Sequence, residues 1–183
     1  ADALFVGGGM AATFLKAKGF GIGKSLLEPD LVDFCADVLI RCEAAGTTLT
    51  LPTDVVIAQT LEADVPTRTV AADAVPDDWM ILDIGPESAD LFAKQLSAMG
   101  TVVWNGPMGV FEVPPFHTGT RIVAEGLAAG TAVTVIGGGS TAEAVDALGL
   151  ADEMTHVSTG GGASLEFLEG KVLPGVAALQ DKP

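Results

Sequence analysis

Short apolar, β-prone runs alternate with helical patterns along most of this chain, and glycine closes nearly every run. The runs are Leu4–Val6, Thr48–Leu51, Met80–Ile84, Val102–Trp104, Val133–Ile136 and His156–Ser158. Between them, residues 30–43 carry apolar side chains at Leu31, Phe34, Cys35, Val38, Leu39 and Cys42, the three-and-four spacing of a helix. Asp30 is placed to cap it and Gly46 to stop it. Helices are also expected over 86–99, 119–129 and 140–147. The first opens with proline and ends before Gly100, and the second ends before Gly130. Residues 53–78, interrupted by Pro66 and Pro76, read as strand fragments and loops. Strand–helix alternation predicts an α/β fold. It is a Rossmann-like, doubly wound, mainly parallel sheet with helices on both faces, a three-layer α/β/α arrangement.

Glycine makes up 23 of the 183 residues, well above the usual ~7%, and its placement is specific. Val6 is followed by Gly7–Gly9, Ile84 by Gly85, Trp104 by Asn105 and Gly106, Ile136 by Gly137–Gly139, and Ser158 by Thr159 and Gly160–Gly162. In an open α/β sheet the C-terminal strand ends share the edge where ligands bind. Glycine there lets a ligand approach the backbone. Two segments run strand, glycines, helix start: Gly137 to Thr141, and Ser158 to Ser164. Free N–H groups and the positive dipole end of each helix suit phosphate oxygens. Three glycine triplets at equivalent strand ends point to a phosphate or nucleotide site.

Other classes are disfavoured. Nine Lys and Arg stand against 24 Asp and Glu, a formal charge of −15, so a basic nucleic-acid footprint or polybasic membrane patch is not expected. No apolar run reaches the ~18 residues of a membrane helix. The start at Ala1 has neither the charged residues nor the apolar stretch of a signal peptide, and without an initiator Met it reads as a mature or excised piece. Apolar residues at 49% and charged ones at 18% argue against disorder. Cys35 and Cys42 are seven residues apart, ~10.5 Å along a helix, too far for a disulfide. They read as two core-facing thiols in a reduced, cytoplasmic compartment. His117 is expected near a helix start and His156 as a core residue within a strand; no Cys/His cluster suggests zinc.

The stretch from Gly19 to Ser25 is one residue short of a phosphate-loop spacing and lacks a preceding strand, so it reads as an ordinary loop. A nicotinamide-dependent dehydrogenase is disfavoured because Gly-x-Gly-x-x-Gly is absent. The segment Val103 to Glu112 combines an amide, two glycines, a proline and an acid that looks buried; Asn105 or Glu112 could orient a sugar or a metal-bound water.

Taken together these motifs resemble the C-terminal, nucleotide-binding lobe of phosphoglycerate kinase. The matching stretches are Gly7–Leu15, Ile22–Leu26, Leu51–Asp54, Asp83–Pro86, Val103–Glu112, Phe116–Thr120, Ile136–Thr141, and His156–Glu166 continuing to Gly175. They follow family order and span nearly all of the chain as one lobe, residues 1–183. The resemblance implies a glycolytic phosphotransferase. It would move a phosphoryl group reversibly between 1,3-bisphosphoglycerate and MgADP, giving 3-phosphoglycerate and MgATP. It implies ATP or ADP with Mg²⁺ as cofactors, nucleotide and phosphoglycerate as partners, and a typically monomeric state.

By motif match, Gly8 and Gly9 would flank the adenine and Ile81 would sit near the base. Asn105, Gly106 and Glu112 would contact phosphates or ribose, and Gly137, Gly138, Gly139, Ser140 and Thr141 would cap the phosphates. Gly138, Gly161 and Gly162 would face the transferring group. The family's Mg²⁺ contact falls at Ser140, where the family usually has Asp; a serine hydroxyl is neutral and a weak Mg²⁺ ligand. The phosphoglycerate-binding N-terminal lobe, and a first strand and helix carrying phosphate-binding lysines, are not in these residues. The sheet is therefore expected to be truncated at its N-terminal strand and the fragment alone inactive. The alternative is a non-catalytic nucleotide- or protein-binding relative with an altered metal site.

Overall fold

The computed structural model describes residues 1–158 and 160–179. The elements run β1 (Ala3–Phe5), α1 (Gly8–Ala17), α2 (Val32–Ala45), β2 (Thr48–Thr50), β3 (Asp54–Ala58), β4 (Arg68–Ala71), β5 (Met80–Ile84), α3 (Pro86–Leu96), β6 (Thr101–Asn105), α4 (Thr118–Ala128), β7 (Val133–Gly137), α5 (Gly139–Ala147), β8 (His156–Val157), α6 (Gly161–Leu168) and α7 (Pro174–Ala177). Each of the six expected strands forms within one or two residues of its expected limits. The architecture is the expected Rossmann-like α/β fold. Among the described residues no helix is long and apolar enough to cross a membrane.

Hydrogen bonding divides the strands into three sets. β1 pairs with β2 in parallel, Leu4 opposite Leu49. β6, β7 and β8 form a parallel trio, with Trp104 opposite Ile136 and Ile136 opposite Val157. The third set departs from a parallel sheet. β3 lies between β4 and β5 and is antiparallel to both. β3 is Asp-Val-Val-Ile-Ala, buried at four of its five positions. A continuous apolar run tells of burial on both faces but not of strand direction.

The largest core lies between α3, α4 and the β6–β7 pair. Phe92, Val123, Leu127, Ile136 and Val145 are fully buried there. On α3, Ala89, Phe92 and Leu96 share one face at helical spacing. On α4 a Cβ at Gly126 would lie 2.6 Å from the Ala93 Cβ, so glycine lets the two helices close. A second core joins Ala12 and Leu15 of α1 to Val55, Ile57 and Trp79. Both cysteines are free and buried on α2 as expected, and burial pushes the Cys35 thiol up.

Two local expectations are corrected and a third holds. Asp30 does not cap α2; it lies in a 3-10 turn, Pro29–Leu31, that feeds the helix, and Leu31 takes the cap position. His156 lies in β8 as expected but is exposed, because β8 has only two residues and one partner strand. The Gly19–Ser25 segment is an ordinary loop, as read. Lys24 N–H donates to the Trp79 carbonyl at 2.8 Å and the Ser25 hydroxyl accepts from Ile81 N–H at 2.8 Å.

Candidate functional site

Two of the helix starts at the glycine-rich edge are filled from within. At α3, Ser88 N–H donates to Asp54 Oδ1 at 2.8 Å and Glu87 N–H to Oδ2 at 3.2 Å. A Cβ on Gly85 would fall on that carboxylate, so glycine makes its seat. At α4, Gly119 N–H donates to Asp83 Oδ2 at 2.8 Å while Ile84 N–H donates to Oδ1 at 2.9 Å. Burial pushes the Asp83 carboxyl up to about 7, against the opposing pull of backbone N–H groups of Gly119, Ile84 and Thr118.

At the starts of α1, α5 and α6 no side chain of a capping residue accepts a helix N–H. These are the three ends with glycine triplets. The starts of α5 and α6 converge. Gly138, at φ +87°, caps α5, and a Cβ on Gly161 would stand 2.9 Å from the Gly138 Cα. The two turns therefore pack backbone against backbone, which only glycine permits at that spacing.

Asn105 lies directly across the β6–β7 ladder from Gly137. A Cβ on Gly137 would lie 3.1 Å from Asn105 Nδ2, and one on Gly138 would lie 3.3 Å from Asn105 Oδ1. Nδ2 is buried and has no hydrogen-bond partner among the described residues. Such a group costs about 1–3 kcal/mol, and an acceptor oxygen entering beside the glycines would satisfy it. Gly106 is held from two sides. Its N–H donates to Thr141 Oγ1 at 2.7 Å, and its carbonyl accepts from the Trp104 indole at 2.7 Å.

A cavity of about 1040 Å³ reaches this edge and is lined by Gly8, Gly9, Ile81, Asn105 and Gly106 among others. Gly8 N–H donates to the Met108 carbonyl at 2.9 Å. With φ +57°, a Cβ on Gly8 would come 2.5 Å from the Pro107 carbonyl, so α1 abuts the loop after β6.

The expected residues thus fall into groups. Gly8, Gly9 and Ile81 share the cavity wall with Asn105 and Gly106. Asn105 and Gly106 also touch the group of Gly137, Gly138, Thr141 and Gly161. Thr141 is fully buried, and its hydroxyl ties α5 to the β6 loop. Gly139 and Gly162 face open space. Ser140 is exposed on the first turn of α5. Glu112 is not the buried acid it resembles. It is exposed in the turn after the loop and does not line the cavity, because the flanking Val110 and Val113 take the inward positions. Thr159 lies outside the described residues.

Sequence patterns did not single out Asp54 or Asp83 as caps. Both stand in quoted motifs, and the available signal was a carboxylate inside an otherwise apolar strand. As for Mg²⁺, the described residues hold no group of three or more Asp, Glu, His or Cys able to ligate a metal. One exposed serine hydroxyl does not supply the carboxylate that Mg²⁺ usually takes from protein. The residues present do not fit a protein-built Mg²⁺ site.

Comparison with known proteins agrees with this geometry. The family model "Phosphoglycerate kinase" matches residues 1–171. The chain is 54% identical over 183 residues to phosphoglycerate kinase of Chloroflexus aurantiacus, covering 98% of this chain and 46% of the relative. It is 56% identical over 181 residues to that of Pelotomaculum thermopropionicum, covering 99% and 46%. A solved structure of phosphoglycerate kinase from Coxiella burnetii superposes with a TM-score of 0.93 at 45% identity, over 97% of this chain and 46% of that one. The Pyrococcus horikoshii enzyme gives 0.84 at 31% identity, over 98% and 45%. The chain spans about half the length of the curated relatives it matches. With the family model covering residues 1–171 and relatives above 50% identity along the whole chain, this protein belongs to the phosphoglycerate kinase family.

Proposed function

We propose that residues 1–183 form the nucleotide-binding lobe of a phosphoglycerate kinase and bind ADP or ATP at the glycine-rich edge. The observation that carries this reading is the meeting of the α5 and α6 starts at Gly138 and Gly161, beside the unpartnered Asn105 amide. Phosphate oxygens would accept from the first-turn N–H groups of α5 and from Asn105 Nδ2. The dipole ends of both helices favour that charge. Backbone donors explain how a chain of net charge −15 could hold a polyanion. Base and ribose would occupy the cavity lined by Gly8, Gly9 and Ile81.

In the whole enzyme the lobe would serve reversible phosphoryl transfer between 1,3-bisphosphoglycerate and ADP, and so glycolysis in the cytoplasm. Gly138, Gly161 and Gly162 would place backbone donors around the transferring group, since this chemistry depends on positioning and electrostatics. Mg²⁺, when bound, neutralises phosphate charge; in this chain its ligands would come from the nucleotide and at most from Ser140. Phosphoglycerate would be held by residues outside this chain, so the 183-residue chain alone has no turnover.

Calorimetric titration with ADP, with and without Mg²⁺, tests the reading. Binding with a stoichiometry near one is expected. No heat from a chain that circular dichroism shows to be folded overturns the nucleotide assignment. Formation of ATP from 1,3-bisphosphoglycerate by the purified chain overturns the claim that it is inactive alone.

A further inference from the structure

Asn105 is the only asparagine in the sequence, and glycine follows it. Asparagine is a thermolabile residue, and the reagent is its own neighbour. The Gly106 nitrogen loses its proton to water and bonds to Asn105 Cγ. The Cγ–Nδ2 bond breaks, and Nδ2 leaves as ammonia with a proton from water. Water then opens the cyclic imide at Cγ to give aspartate, or at the main-chain carbonyl to give isoaspartate. Glycine has no side chain to hinder the attack, and here the fold demands it, because Gly106 sits at φ +96°. Two features favour the reaction. Nδ2 has no hydrogen-bond partner among the described residues, so nothing holds the leaving nitrogen. Both residues line the cavity, so water can reach the imide. Two features oppose it. The attacking N–H is engaged by the fully buried Thr141 Oγ1 at 2.7 Å, and the Gly106 carbonyl is engaged by the Trp104 indole at 2.7 Å. Attack also needs the reacting atoms within ~3–3.5 Å and aligned, and ladder pairing of Asn105 with Gly137 resists the backbone rotation that would bring them there.

We propose that Asn105–Gly106 is a latent deamidation site, latched by the Thr141 hydroxyl, and that its conversion closes the glycine-rich edge to phosphate. The latch joins two elements. Thr141 lies in the first turn of α5 and Gly106 follows β6, so local opening between them frees the nitrogen. The product replaces a buried N–H donor beside Gly137 with a carboxylate, which repels phosphate oxygens at close range. Isoaspartate also lengthens the main chain by a methylene and draws Gly106 off Thr141. The closing of the edge rests on the nucleotide reading above; the latch does not. Phosphate bound at this edge would hold both Nδ2 and the α5 start, so the empty lobe is the form that reacts.

The purified chain is incubated at mildly alkaline pH, and the conversion of amide to acid is followed by mass spectrometry of the tryptic peptide 95–121. The same chain unfolded in guanidinium gives the unlatched rate. Under native conditions conversion is expected to be measurable and at least tenfold slower than that. Thr141→Val, shown to be folded by circular dichroism, should convert at least fivefold faster than wild type, and Thr141→Ser, which keeps the hydroxyl, within twofold of it. Equal rates in the folded and unfolded chain, no conversion at all in the folded chain, or a Thr141→Val rate equal to wild type overturns the proposal. If Thr141→Val does not fold, amide hydrogen exchange at Gly106 decides: the latch requires slow exchange there, and fast exchange overturns it. Converted chain, separated by its extra negative charge, is expected to bind ADP at least tenfold more weakly than intact chain, and ADP should slow conversion of intact chain at least threefold. Equal ADP affinity of the two forms overturns the closing of the edge. Intact chain that binds no ADP overturns the nucleotide assignment, while the conversion rates still decide the latch.

Discussion

The starts of α3 and α5 are built from similar material and end in opposite states. Each follows a strand that closes in glycine, with room for an anion at the first turn. At α3 the room is taken by Asp54, a carboxylate from β3 that accepts two helix N–H groups. At α5 no capping side chain enters, the neighbouring start of α6 leans in through Gly161, and the Asn105 amide is left unpaired. Glycine at a strand end only makes space. Whether the space is structural or available depends on whether an acid from another strand reaches it.

The largest test of that contrast is Asp54→Ala. It strips two N–H groups and the Ser88 hydroxyl of their acceptor in a buried place, and should cost about 3 kcal/mol, the sum of a lost cap and an unsatisfied buried group. Urea unfolding measures it; a loss under about 1 kcal/mol would mean that water replaces the carboxylate and that the α3 start is as open as that of α5.

Asp83 gives the next effect. Its folded value, about 7, lies above the ~3.9 of an unfolded chain, so the native state binds the extra proton. Its contribution is fully present below about pH 4 and is lost as pH rises through about 7. The slope is at most ~1.4 kcal/mol per pH unit. The stability difference between wild type and Asp83→Asn should shift by about 2 kcal/mol from pH 5 to pH 7. A difference that does not change with pH would show that the carboxyl ionises as freely as in water.

At the open end, Gly161→Val places carbon atoms against the Gly138 backbone. ADP affinity should fall at least tenfold, about 1.4 kcal/mol, with a smaller change in urea stability. If stability falls while affinity holds, the contact serves packing alone. The smallest effect is expected from Ser140→Asp on the exposed first turn of α5. It should tighten MgADP a few-fold relative to metal-free ADP, because a carboxylate gives Mg²⁺ the ligand that a hydroxyl does not. Equal effects with and without the metal would remove position 140 from any metal role.

Much of this was legible in the sequence. Short apolar, β-prone runs, five of the six closed by glycine, marked the six strands, and the three glycine triplets marked the starts of α1, α5 and α6. These are local signals, set by backbone sterics and side-chain period. The spacing of Cys35 and Cys42 likewise placed both on the buried stripe of α2. The direction of β3 was not legible, because a continuous apolar run such as Val55–Ala58 is buried whichever way its neighbours point. Glu112 misled for a related reason. Nothing local says which side of an irregular loop faces inward, and its apolar neighbours Val110 and Val113 took the interior.

What the sequence alone determined was therefore the elements, the edge at which they end, and the family whose motifs they carry. Only the tertiary structure decided which helix starts are occupied. Asp54 is 34 residues from Ser88 and Asp83 is 36 from Gly119, and no pattern along the chain pairs them. A buried carboxylate and a row of N–H groups find each other because each would otherwise lose its hydrogen bonds to water on folding. Those pairings exist only once β3 lies beside β5 and the start of α4 packs against the end of β5.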